Sequence, residues 1–239
     1  MGTLSGTDFN TEILAALGNR TDINYARVCT ALNLAQTRLS RFYDFNDMAL
    51  VQLGTLSFTG NPAADKFLTL PTGLKTIHSL VLVDNTSAGS LWSSRKMVEK
   101  PWRWFDNQFP VPEVLPPEWP SIYTRWGNIL TMAPPPMYAF GYQLRYMGMP
   151  TPFASGTPSQ TSDFTNKDDI LLEDSLRHFW RSLGRMDQAE IHEKRVERLV
   201  EEAIQREDTR PDMDVALDIS SIGLNIEQYW NNPFIAGAP

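Results

Sequence analysis

The chain has 239 residues, 42% of them hydrophobic, which is enough for one large or two small cores, and carries a net charge of −7. No basic block concentrates the potential that displaces counterions from nucleic acid, which argues against a dedicated nucleic-acid binder. A single cysteine, Cys29, rules out an internal disulfide. No run reaches the roughly 18 apolar residues of a membrane span, and the first residues lack a signal peptide's basic and apolar regions, so a soluble protein made in the cytoplasm with no membrane partner is expected.

Thr7 and Asp8 are placed to cap a short helix with Phe9, Ile13 and Leu17 on one stripe and Gly18 closing it. Thr21 is placed to cap a second helix whose buried stripe reads Val28, Leu32, Ala35, Leu39 and Phe42. Cys29 lies inside that pattern and reads as a small buried hydrophobe rather than a nucleophile. Arg20, Arg27, Arg38 and Arg41 fall on more polar faces, where they are either solvated or available to an acidic partner.

Between residues 50 and 149 the periodicity turns from helical to alternating. Candidate strands are 50–58, 66–70, 76–84, 90–95, 122–126, 129–133 and 138–147, each bounded by Gly, Pro or Asn, and an antiparallel β domain is expected. Tyr142, Leu144 and Tyr146 alternate with Gln143 and Arg145, so one face is buried and one wet. Gly127-Asn128 is the turn of a tight hairpin. Residues 96–120 carry six prolines, which predicts a stiff extended loop. Its aromatics, Trp102, Trp104, Phe105, Phe109 and Trp119, either cap the β core or anchor an interface together with Arg103.

Residues 150–166 read as a Ser/Thr/Pro/Gly linker. The stretch 168–208 contains no proline and is expected as one helix of roughly 60 Å at 1.5 Å per residue. Leu172, Leu176, Phe179, Leu183 and Met186 stripe its first half for burial. Its second half sets Ala189, Val196, Leu199, Val200 and Ala203 among charges, with Glu190–Lys194 and Arg198–Glu202 spaced to pair. That half is expected to line contacts between subunits. Residues 209–239 lose periodicity yet keep Ile219, Ile222, Leu224, Ile226, Tyr229, Trp230, Phe234 and Ile235, too many apolar groups for a purely solvated tail. An extended arm contacting another subunit or partner is expected, with Tyr229, Trp230, Phe234 and Ile235 as its anchors.

The sequence offers little chemistry. His78, His178 and His192 have no metal-ligand spacing. Asp174 and His178 are four apart on a helix, the spacing of a surface pair and the one candidate for a hydrolase dyad. Asp168-Asp169 and Glu201-Glu202 point about 100° apart and cannot share one proton site. Phosphate-binding, nucleophile-elbow and zinc-protease motifs are absent. No catalytic residue, cofactor or metal is therefore expected.

Several phrases carry a resemblance. They are the pattern AxxRLxRFYDF at 35–45, FLTLPTGLKTIHSL at 67–80, IYTRWGNILTMAPPP at 122–136, YQLRYMGMPTPF at 142–153 and the helical stretch 168–204. In this order they resemble the head-to-tail adaptors of tailed bacteriophages, the neck component also called tail tubular protein A, over residues 7–207. The resemblance implies a structural virion protein in the neck between capsid and tail, a homo-oligomeric dodecameric ring joining portal protein to tail or nozzle protein. Genomic DNA would only pass through its channel. It also implies a portal-side helical portion and a tail-facing β portion, and no catalytic residues. A tail completion or tail-tube ring protein of the same particle is the alternative, and a virion-associated hydrolase a more distant one. The fold expected is α+β: a helical bundle of residues 7–45 and 166–207, an inserted antiparallel β domain at 50–150, and an extended C-terminal arm at 208–239. Trp102, Trp104, Phe105 and Trp119 are the expected tail-facing contacts.

Overall fold

The structure is a computed structural model and describes residues 4–84 and 94–208. The chain divides into two compact units, one made of Met1–Asn46 with Pro152–Pro239 and the other of Asp47–Thr151.

In the first unit, α1 (Gly6–Ala16) starts at Ser5, whose hydroxyl accepts from the Asp8 N–H while the Asp8 carboxylate accepts from the Ser5 N–H, a reciprocal capping box. The cap thus lies two residues before Thr7. Gly18 ends the helix at φ +76°, and Asn19 and Gly18 donate to Leu14 and Ala15 at 2.7 and 3.1 Å, a Schellman closure. Asn24, not Thr21, caps α2 (Tyr25–Phe42). α2 buries Val28, Leu32, Ala35 and Leu39 as its spacing predicts, and Cys29 is buried with them. Phe42 departs from the predicted stripe: it lies at the last residue of the helix, exposed, under the Arg38 guanidinium at 5.4 Å.

The stretch expected as one 60 Å helix is a helical hairpin. α5 (Asp168–Ser182) stops at Gly184, which takes φ +74°. Arg185 and Gly184 donate to the Trp180 and Arg181 carbonyls at 3.0 and 3.1 Å, the same closure that ends α1. α6 (Met186–Asp208) then runs back along α5. The reversal buries Ala189, Val196, Val200 and Ala203 inside their own unit, so these side chains are not the intersubunit surface that a straight helix would make of them. Of the predicted stripe on α5, Leu176 and Phe179 are buried, Leu172 and Leu183 half-buried, and Met186 is exposed just beyond the turn. The expected pairs Glu190–Lys194 and Arg198–Glu202 form at 2.8 and 3.7 Å on the wet face of α6.

The second unit holds two four-stranded sheets. One has the order β1-β8-β3-β4, with β1 Ala49–Thr55, β3 Leu74–Val83, β4 Ser94–Lys96 and β8 Gly141–Gly148. The other has the order β2-β7-β6-β5, with β2 Phe67–Thr69, β5 Val98–Glu99, β6 Ile122–Trp126 and β7 Ile129–Ala133. A short helix, α3 (Pro62–Asp65), separates β1 from β2. The strand pairings are antiparallel, as expected of this domain, except β5 with β6, which is parallel at the edge of its sheet. The β6–β7 hairpin turns at Gly127, φ +60°, with Trp126 opposite Ile129. Inward residues of both sheets build the core: Leu80, Leu82, Tyr142 and Leu144 from one, Leu68, Tyr123, Leu130 and Met132 from the other. Each fully buried Leu contributes roughly 1.5–3 kcal/mol. Alternation along β8 therefore follows from placing Tyr142 and Leu144 in that core while Arg145 meets solvent.

Residues 96–120 are not an extended loop. Proline-free residues 102–109 follow Pro101 and form α4 (Trp102–Gln108), because proline is tolerated at the start of a helix and excluded only from its interior. A 3₁₀ turn at Pro112–Val114 follows.

Candidate assembly surfaces

In the helical unit Asp174, the carboxylate of the candidate dyad, is tied into a charged lattice across α2, α5 and α6. Asp174 is buried, and its Oδ1 accepts from Arg38 Nη1 at 2.8 Å and Arg177 Nε at 2.7 Å. Glu193 on α6 adds Arg38, Arg177 and Arg181 at 3.4, 3.7 and 3.2 Å. Two guanidinium groups thus share one oxygen of the carboxylate that a dyad would offer His178. His178 is partly buried against Phe179; burial, and next the Arg177 charge, hold its pKa below the usual value. His192 meets Glu173 at 2.5 Å. Among the described residues no group of three or more His, Cys, Asp or Glu is placed to hold a metal. What this lattice does chemically is fix helix register, since Arg38, Arg177 and Arg181 each reach at least one carboxylate on another helix.

The far end of the hairpin is clamped by a second buried pair. Lys167 Nζ lies 3.3 Å from Glu207 Oε1 and over the Phe45 ring at 4.6 Å, and Glu207 Oε2 accepts from the Asn46 N–H at 3.1 Å. The last turn of α6 is thereby fixed just where residues 209–239 begin.

In the β unit an aromatic ridge reaches solvent. Phe105 faces inward from α4 and is fully buried, so this predicted contact residue belongs to the core of its own unit. Trp102 and Trp104 stay exposed on the same helix. Trp102 packs edge-on against Trp126 at 5.2 Å, and the Arg103 guanidinium lies over Trp102 at 5.3 Å. Lys100 Nζ lies 5.3 Å over Trp104, which meets Phe109 at 6.2 Å. Trp119 is set apart from this group, partly buried on Phe140 at 4.8 Å. Trp126 is 66% exposed and was missed as a contact residue, because in sequence it is only the last residue of a hairpin strand.

The second apolar surface was also missed. β1 reads ALVQLGT, with no charge and no proline, and it is an edge strand paired on one side with β8. Leu50 and Val51 are exposed, and Leu53 is 73% exposed. Period-2 alternation predicted a strand here, but nothing in seven residues says which strand of a sheet will be outermost. Tyr229, Trp230, Phe234 and Ile235 lie outside the described residues.

The described residues thus comprise a helical unit drawn from both ends of the chain, an inserted β unit, and exposed apolar side chains on β1 and on the Trp102–Trp126 ridge. The sequence model of the SU10 adaptor protein family matches residues 7–216. The chain belongs to the SU10 adaptor protein family. A phage structural and adaptor role follows at the level of the family. The match covers α1 from its second residue, α2 to α6 and both sheets, so both units are parts of one family fold. None of the curated proteins compared with the chain matches it.

Proposed function

We propose that this SU10-family adaptor is the head-to-tail adaptor of its particle, a subunit of a dodecameric ring in the neck that joins the portal protein to the tail or nozzle protein. The ring continues the channel through which genomic DNA passes. Family membership over residues 7–216 carries the adaptor reading. The ring is supported by apolar surface that the described residues of one subunit leave open, on the β1 edge and on the Trp102–Trp126 ridge. A monomer with these patches exposed gains by covering them, and a heterologous contact repeated around an axis closes as a ring. In this reading the ridge meets the tail, where two tryptophans with a stacked arginine supply the anchors such contacts use. The arm, through Tyr229, Trp230, Phe234 and Ile235, meets the portal or the adjacent subunit.

The test is reconstitution. Purified protein is added to portal-bearing heads that lack it, and the vertex is imaged by electron microscopy. The expected result is a twelvefold ring on the portal and recovery of tail joining. A sixfold ring that joins only the tail tube would assign the protein to tail completion instead.

A further inference from the structure

We propose that β1 is a receptor strand and that its occupant is the C-terminal segment of a neighbouring copy, residues 222–226, added as a fifth strand to the β1-β8-β3-β4 sheet. The proposal rests on the ring reading above and names the contact that links one subunit to the next.

The receptor side is built from three observations. First, β1 is a seven-residue strand with β8 on one side and, among the described residues, no strand on the other. Natural sheets blunt such edges with lysine, proline, bulges or brevity, and β1 has a regular register and none of these. Second, its exposed apolar side chains lie where an added strand would cover them. Val51 and Leu53 share one face, beside Arg145 and Gln143 of β8, and Leu50 projects from the other. Third, Gln52 on that other face donates to the Tyr142 hydroxyl at 3.1 Å, and a Cβ at Gly54 would come within 2.7 Å of the Tyr142 ring. β1 is therefore fixed on the sheet by its inner neighbours and presents a preformed edge, which lowers the ordering cost of adding a strand.

The occupant side is in the sequence. Residues 222–226 read Ile-Gly-Leu-Asn-Ile, apolar at alternate positions with small or polar residues between them. That period of two sets Ile222, Leu224 and Ile226 on one face, matching the Val51–Leu53 face, and Gly223 and Asn225 on the other. Asp218 and Glu227 bracket the segment, while Arg145 stands beside Val51 and β1 itself carries no charge, so the signs are complementary. Length permits the exchange: α6 is clamped at Glu207, and residues 209–221 reach up to about 45 Å when extended, enough to leave the subunit. Tyr229, Trp230, Phe234 and Ile235 lie beyond the paired strand and remain free for the portal.

The test uses full-length chains. Leu53→Cys protein is mixed with Leu224→Cys protein, with Ile222→Cys and Ile226→Cys as neighbouring registers, and rings formed from the mixture are oxidised. Leu53 is exposed and Cys29 is buried, so neither folding nor the native thiol confuses the readout. The expected result is a disulfide dimer containing one chain of each kind, present in rings and lost in the dissociated protein. A chain carrying both substitutions should give intermolecular ladders. A fast-migrating, internally linked monomer would show the segment closing its own β1 and overturn the proposal. Intact rings with no cross-link at any of the three positions would overturn the strand pairing while leaving the ring reading in place. No rings from the unsubstituted protein would overturn both. As a second measurement, Leu53→Lys should reduce ring assembly by about tenfold or more, with unfolding of the free subunit unchanged, because a lysine on an edge strand blocks pairing.

Discussion

Asp174 is the residue on which the helical unit turns. With Arg38 at 2.8 Å and Arg177 at 2.7 Å on the same buried oxygen, Asp174→Ala leaves two guanidinium groups facing each other with Glu193 alone to balance them. The expected loss is about 3 kcal/mol, read from the urea midpoint, because removing one partner of a buried pair strands the other charge. His178 gives a pH signature with a definite sign. Its folded pKa lies below the usual value, so the folded state favours the neutral ring. Its contribution is fully present above the unfolded pKa, roughly 6.5, and is lost as pH falls through that value toward the folded one. His178→Gln should therefore gain on the wild type in urea melts as pH drops from about 7.5 to 5.5; parallel curves would contradict the assignment. The residue pattern showed Asp174 and His178 four apart. It could not show Arg38, 136 residues away in sequence, which takes the acceptor.

At the level of elements, two closures of one design carry different signals in sequence. The apolar stripe before Gly18 ends there, which marks a helix stop, whereas after Gly184 apolar residues resume at Met186 and no proline interrupts the stretch. Both glycines sit near φ +75° in Schellman closures, and a Cβ at either would meet no neighbouring atom within 4 Å. The cost of a side chain there is therefore backbone strain alone: Gly184→Ala and Gly18→Ala should each lose about 1 kcal/mol in thermal or urea unfolding. Gly156→Ala, equally open but without positive φ, should lose nothing and serves as the control. Helix and strand identities followed from periodicity in α1, α2 and β6 to β8, because one face of each meets a core. α4 escaped notice because proline density over 25 residues hid an eight-residue gap between Pro101 and Pro110 that holds two helical turns. The order of strands in a sheet was illegible for a different reason: β1 and β8 alternate alike, and only long-range pairing makes β1 the edge.

On the scale of the whole molecule, the hairpin buries Ala189 within the helical unit, so the ring proposed above must draw on other surface, and β1 and the Trp102–Trp126 ridge are the exposed apolar groups among the described residues. Trp126→Ala should cost unfolding only about 1 kcal/mol, the worth of its edge-on contact with Trp102, yet weaken tail joining by about tenfold or more if the ridge anchors that contact. The most direct measurement of the central claim is a cryo-electron reconstruction of the particle neck without imposed symmetry. Twelve copies of this chain are expected in one ring between portal and tail, surrounding the DNA channel. A neck with no density for the chain, or the chain found only as a sixfold ring within the tail, would contradict it.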